Sequence, residues 1–139
     1  DIDFFKMVND TYGHDVGDKV IKVLAQVLKE NIRESDTAFR FGGEEFLVLL
    51  YQCEETMVTN IAEKIRLAFE KSPIQSNNGS TFYKTLSVGA SIFPKDSDSL
   101  WKCIKFADIA LYNAKDSGRN CVKRFDASMV DSQELKSDF

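Results

Sequence analysis

The sequence predicts an α+β domain, a mixed and mostly antiparallel sheet flanked by helices. Apolar residues recur at helical spacing in long segments that alternate with short β-type runs. Glycine- and asparagine-led turns break those runs into hairpins. The 139 residues, 43% hydrophobic and 29% charged, suit one globular domain able to bury a core of its own.

Asp1-Ile2-Asp3 reads as the end of a strand whose beginning precedes the sequence. Phe4 to Asp10 follows as a short helical turn, with Phe5 and Val8 or Asn9 on one face. Tyr12 to Gly17, bracketed by glycines, is expected to be a loop. Val20, Ile21, Leu24, Val27 and Leu28 mark an amphipathic helix to about Asn31, with Asp15 and Asp18 placed as N-cap and N3 acids. Thr37 to Phe41 and Phe46 to Leu50 flank Gly42-Gly43-Glu44-Glu45 and should pair as a hairpin. A helix from about Glu54 to Lys71 turns Met57, Ile61, Ile65 and Ala68 inward, and Pro73 stops it.

Asn77-Asn78-Gly79 joins Ile74–Ser76 to Ser80–Tyr83 as a second hairpin, and Leu86 to Phe93 is a further strand. Ser97-Asp98-Ser99 caps a last helix with Leu100, Ile104, Ala107, Leu111 and Ala114 on one face and Gly118 past its end. Cys121 to Phe125 is a closing strand. The domain is thus expected over residues 1–125, with a polar tail over 126–139 that is weakly structured or helical. This order of elements resembles a ferredoxin-like core, a fold that hosts many functions.

Composition narrows the function. No apolar run approaches the ~20 residues of a membrane-spanning helix, and no signal peptide is visible. A net charge of −4 argues against a general nucleic-acid binder. Cys53, Cys103 and Cys121, an odd set without CxxC spacing, read as free thiols of a reducing, cytoplasmic compartment. His14 is the only histidine, so a multi-histidine metal site is excluded. A metal here would be held by carboxylates, which points to Mg²⁺ or Mn²⁺.

Two acidic groups stand out. Asp1 and Asp3 lie at a strand end, and Glu44 and Glu45 lie in a turn whose glycines let backbone approach a ligand. If the hairpin pairs with the Asp1 strand, these acids converge into a site for Mg²⁺ and nucleotide phosphates. Taken alone, Gly-Gly-Glu-Glu is weak evidence, and on physics alone it reads first as an ordinary exposed acidic turn. Lys6, Lys115 and Arg119 could bind phosphate, although the last two also suit a helix C-terminus.

Asp1-Ile2-Asp3-Phe4-Phe5-Lys6, with Asn9-Asp10, Gly13-His14 and Gly17-Asp18, resembles the opening motif of the GGDEF family. Arg40-Phe41-Gly42-Gly43-Glu44-Glu45-Phe46 resembles its naming motif in the GGEEF form. Ala107-Asp108, Tyr112, Ala114-Lys115 and Gly118-Arg119-Asn120 resemble its C-terminal block, so the likeness runs from Asp1 to about Val122. It implies a nucleotide-cyclase palm-like core and diguanylate cyclase activity, the condensation of two GTP into cyclic di-GMP with release of two pyrophosphates.

By position, the resemblance implies that Asp1, Glu44 and the Ile2 carbonyl ligate Mg²⁺ and that Glu45 assists a second metal or the attacking 3′-hydroxyl. Asn9 and Asp18 would read guanine, and Asp18 could also cap a helix. Lys6, Lys115 and Arg119 would hold phosphates with backbone N–H groups near Phe4 and Phe5, while Gly42 and Gly43 shape the turn. His14 is read as structural.

Arg33-Glu34-Ser35-Asp36 resembles the family's RxxD inhibitory site for cyclic di-GMP, with Arg33 forking to guanine and Asp36 accepting from the opposite edge. A two-position pattern also arises by chance. Lys64 and Arg66 are the candidates for an added cation there. Each domain would hold one GTP, so a homodimer is implied, together with an upstream sensory or regulatory domain and a native chain that extends before Asp1. A cytoplasmic site follows, with membrane tethering of the longer protein left open. The competing readings are a catalytically weak module that binds GTP or cyclic di-GMP, and another nucleotidyl transferase on a similar core.

Overall fold

The computed structural model describes residues 1–130. Its first helix, α1 (Phe5–Tyr12), is longer than the turn expected there, and α2 (His14–Asn31) starts one residue beyond it. The expected loop shrinks to Gly13, whose φ of 93° reverses the chain while its N–H still closes on the Asn9 carbonyl at 2.9 Å. Gly13 is also the N-cap of α2, without a side-chain cap; Asp15 sits in the first turn, where it favours the helix dipole. The apolar stripe of α2 is buried as expected, from Val16 through Val20, Ile21, Leu24 and Val27 to Leu28.

Strands β1 (Thr37–Gly42) and β2 (Glu45–Leu49) form the expected antiparallel hairpin, with Phe39 opposite Leu47 and an irregular register between Arg40 and Gly42. Residues 1–3 lie beside its turn, because the Ile2 N–H donates to the Glu44 carbonyl at 3.3 Å. On their other side they run antiparallel to residues 85–87, with Asp3 N–H to Thr85 O at 2.9 Å and Ser87 N–H to Asp1 O at 3.0 Å. The same run continues into β5 (Val88–Ala90), which pairs in parallel with β6 (Val122–Arg124). A separate short hairpin, β3 (Ile74–Gln75) with β4 (Thr81–Phe82), packs near α2. The structure is therefore of the α+β class expected, with antiparallel pairs and one parallel pair.

Helices α3 (Glu55–Glu70) and α4 (Leu100–Asp116) flank these strands. Ser99 caps α4 by accepting from the Lys102 N–H, as its sequence predicts. Two inward faces differ from expectation. In α3 Met57 is exposed and Phe69 is fully buried. In α4 Leu100 is exposed, and the buried arc is Cys103, Phe106, Ala110 and Ala114. The shift follows from a second neighbour: Phe125 stacks on Phe106 at 4.3 Å, so α4 is held between that ring and β5.

The strand expected over Leu86–Phe93 is cut short because Asp96 takes both the N–H and the carbonyl of Ile92. Ile2, Phe5, Val8, Ile65, Phe69, Ile74 and Leu86 close the main core around α2. Of the tail, Ala127–Met129 forms a 3₁₀ turn, and the expectation for the rest lies outside the described residues. Among the described residues no helix is long and apolar enough to cross a membrane.

Candidate active site

The hairpin turn between β1 and β2 faces the start of α1 and α2 across a cleft of about 440 Å³. Lys6 and Asn9 from α1 line it, with Phe5 at its floor, Asp18 and His14 from α2, and Arg40, Gly43 and Glu44 from the hairpin. Residues far apart in sequence meet because residues 1–3 lead directly into α1 while pairing beside Glu44. Gly43 adopts φ 42°, and the Arg40 Nε–H donates to its carbonyl at 2.8 Å, which fixes the turn. Neither His14, read as structural, nor Arg40, given no role, was expected at the cleft.

Asn9 reaches the cleft because position 17 is glycine. A Cβ there would stand 2.0 Å from Asn9 Oδ1, so the helix offers a notch that only glycine leaves open. Asp18, one residue later, is exposed at the same opening.

Asp1 lies behind Glu44. Its Oδ2 pairs with the Lys115 ammonium, while Oδ1 is buried with no hydrogen-bond partner. A buried carboxylate oxygen left unmatched is costly unless something positive occupies the space beside it. The Asp1 backbone nitrogen donates to the Ser87 carbonyl at 3.0 Å. The Ile2 N–H, which donates to the Glu44 carbonyl at 3.3 Å, sets the turn beside the Asp1 position. Among the described residues no cluster of three His, Cys, Asp or Glu side chains can hold a metal. Two carboxylates with a main-chain carbonyl still fit Mg²⁺, which takes few protein ligands and completes its shell with water and phosphate oxygens.

Asp3, grouped with Asp1 in the sequence, has both its oxygens occupied. It is buried and accepts from Thr85 Oγ1 at 2.7 Å, Ser87 Oγ at 2.6 Å and the Asn120 N–H at 3.0 Å. It thereby ties the turn after α4 to the first strand, which brings Arg119 over the Phe4 ring at 4.6 Å. Phe4 (φ 56°) and Arg119 (φ 65°) both hold left-handed backbone, a strain of about 1–2 kcal/mol each for such residues. Lys84 also stands over Phe4, at 5.7 Å, and burial lowers its pKa although Asp3 raises it. Lys84 was given no role in the sequence, and Asp3, counted there among the converging acids, is instead held by Thr85, Ser87 and Asn120.

Arg33 and Asp36 lie at the edge of a larger groove of about 800 Å³ between α2 and the hairpin, lined by Ile21, Leu28, Ile32, Ala38 and Phe46. The Arg33 guanidinium forks onto Asp36 at 2.9 and 3.1 Å, and the Tyr51 N–H donates to the same carboxylate at 2.9 Å. The Arg33 hydrogen bond, with those of the Tyr51 and Arg33 N–H groups, holds Asp36 down to about 2 despite burial. Asp36 is thus buried and clamps Arg33. Lys64 lies outside this groove, and Arg66 is bound to Glu63, Glu70 and Asn120.

A family model described as "Diguanylate cyclase, GGDEF domain" matches residues 1–121. The diguanylate cyclase DosC of Escherichia coli K12 is 40% identical over 93% of this chain, which spans 28% of that protein. The GGDEF domain of TpbB from Pseudomonas aeruginosa superposes with a TM-score of 0.88 at 33% identity, over 93% of this chain and 75% of that one. The GGDEF domain of DgcB from Caulobacter crescentus, solved in complex with c-di-GMP, gives a TM-score of 0.81 at 33% identity, covering 89% and 73% of the two chains. With a family match over residues 1–121 and solved relatives that superpose over most of its length, this chain belongs to the GGDEF family of diguanylate cyclase domains.

Proposed function

We propose that the domain condenses two GTP into cyclic di-GMP and releases two pyrophosphates. The observation that carries this reading is the buried, unmatched Oδ1 of Asp1 beside Glu44, at the back of a cleft that also holds Asn9 and Asp18. Asp18 can accept from guanine N1–H and the exocyclic amine, a pair adenine does not offer, and Asn9 supports the same edge. Lys6 and Arg119 draw the triphosphate toward the start of α1, and Lys115 can move from Asp1 to a phosphate oxygen. First-turn N–H groups of α1, uncapped by any side chain, add donors there.

Asp1, Glu44 and the Ile2 carbonyl would hold Mg²⁺ or Mn²⁺. When bound, such an ion neutralises charge on the phosphates and on the leaving pyrophosphate. In each half-reaction a 3′-oxygen forms a bond to the α-phosphorus of the other GTP as the α–β bridging bond breaks, and Glu45 is assigned to receive the hydroxyl proton. Two such bonds between two nucleotides require two domains face to face, so the active unit is a homodimer. The chain spans little more than a quarter of DosC, and we place it likewise in a longer cytoplasmic or membrane-tethered protein whose other parts control dimer geometry. Product would be recognised through the exposed face of Arg33, with Asp36 as its support.

The test is incubation with GTP or ATP plus Mg²⁺, with products identified by mass. Cyclic di-GMP from GTP alone is expected. GTP binding without a product would leave a regulatory module, and an ATP-derived product another nucleotidyl transferase.

A further inference from the structure

The cations around the Phe4 ring deepen the GTP reading and rest on it. Lys84 comes from a run outside every motif that identifies the family, yet the pairing of Asp3 with Thr85 sets it beside Phe4. Arg119 occupies the same ring, so the two cations lie within about one Debye length, ~10 Å, of each other. The carboxylate nearest Lys84, Asp3, already accepts hydrogen bonds from Thr85, Ser87 and Asn120. Among the described residues Lys84 forms no ion pair, whereas Lys115 is matched by Asp1. Like charges gathered on one ring, beside the uncapped N-terminus of α1, repel one another until an anion sits among them.

We propose that Lys84 is a further phosphate-binding residue, holding the terminal phosphate of GTP together with Arg119, with Phe4 as the platform that positions both. Lys6 and Lys115 reach phosphates closer to the nucleoside, near the cleft and Asp1. Lys84 therefore sets how strongly the site prefers a triphosphate over shorter chains.

The experiment measures calorimetric affinities for 3′-deoxy-GTP, which lacks the attacking hydroxyl, and for GDP and GMP, with Mg²⁺ present. It compares the wild-type protein with Lys84→Met, Lys84→Arg and the exposed control Lys71→Met, each with a thermal melt. Lys84→Met should weaken 3′-deoxy-GTP about fivefold, leave GMP unchanged and keep the melting temperature, with Lys84→Arg restoring affinity. Lys71→Met should change none of these. An unchanged affinity for 3′-deoxy-GTP in Lys84→Met, or an equal loss for all three nucleotides, overturns the role of Lys84 alone. A wild-type protein that does not prefer 3′-deoxy-GTP to 3′-deoxy-ATP overturns the GTP reading and this inference with it.

Discussion

Two acids separated by one residue do opposite work at the start of this chain. Asp1 keeps a buried oxygen unmatched behind the turn, and Asp3 spends its oxygens on three donors. Alternate strand residues share a face, so the split comes from their neighbours: Lys115 beside Asp1, and Thr85, Ser87 and Asn120 around Asp3. Gly17 is the position where residue-scale magnitudes decide an outcome. Alanine there would gain about 1 kcal/mol of helix propensity, but its Cβ would overlap the flexible end of Asn9. Gly17→Ala should therefore fold with unchanged or higher urea stability. Its preference for GTP over ATP should fall about tenfold in competition binding, because Asn9 is turned out of the cleft.

Among the elements, the joint between β5 and α4 is the least tolerant. A Cβ on Gly89 would meet the Ala107 carbonyl oxygen at 2.1 Å and the Leu111 nitrogen at 2.3 Å, both backbone atoms that cannot step aside. Gly89→Ala should cost about 3 kcal/mol in urea unfolding and also displace Lys115 and Arg119, which α4 carries. The loop after α2 is governed by charge instead. Asp36 titrates near 2 when folded against 3.8 when free, so its contribution is complete above about pH 4 and disappears as pH falls toward 2. Discounted for the half-exposed Arg33, this amounts to about 1–2 kcal/mol. The stability gap between wild type and Asp36→Asn, measured by urea midpoints, should be largest at neutral pH and close across that range. Arg33→Ala should leave the initial rate intact and relieve inhibition by added cyclic di-GMP, read from progress curves.

For the molecule as a whole, the proposed reaction, with one GTP per domain, would make catalysis second order in protein. The rate of cyclic di-GMP formation per domain should fall in proportion to concentration once the protein is diluted below its dimer affinity, as measured by initial rates over a dilution series. A rate per domain that stayed constant would mean that one domain closes both bonds. The charge arrangement agrees with this demand. Net charge is −4, yet Lys84, Lys115 and Arg119 stand beside residues 1–4, near Lys6, where the proposed triphosphate would be drawn in against an acidic background.

The sequence by itself determined the class of fold, the helices with strong apolar periodicity, the hairpin and the motif residues of the site. Those features depend on local spacing and on residue types that few other chemistries require together. It misjudged the loop before α2, the length of β5 and the inward face of α4, each settled by a partner distant in sequence: the Asn9 carbonyl, Asp96 and Phe125. Only the tertiary structure separated Asp1 from Asp3, paired Asp36 with Arg33 and Tyr51 and brought Lys84 to the Phe4 ring. Local pattern records what a residue can do; which groups surround it, and which of its bonds are already taken, is fixed only when distant strands pair.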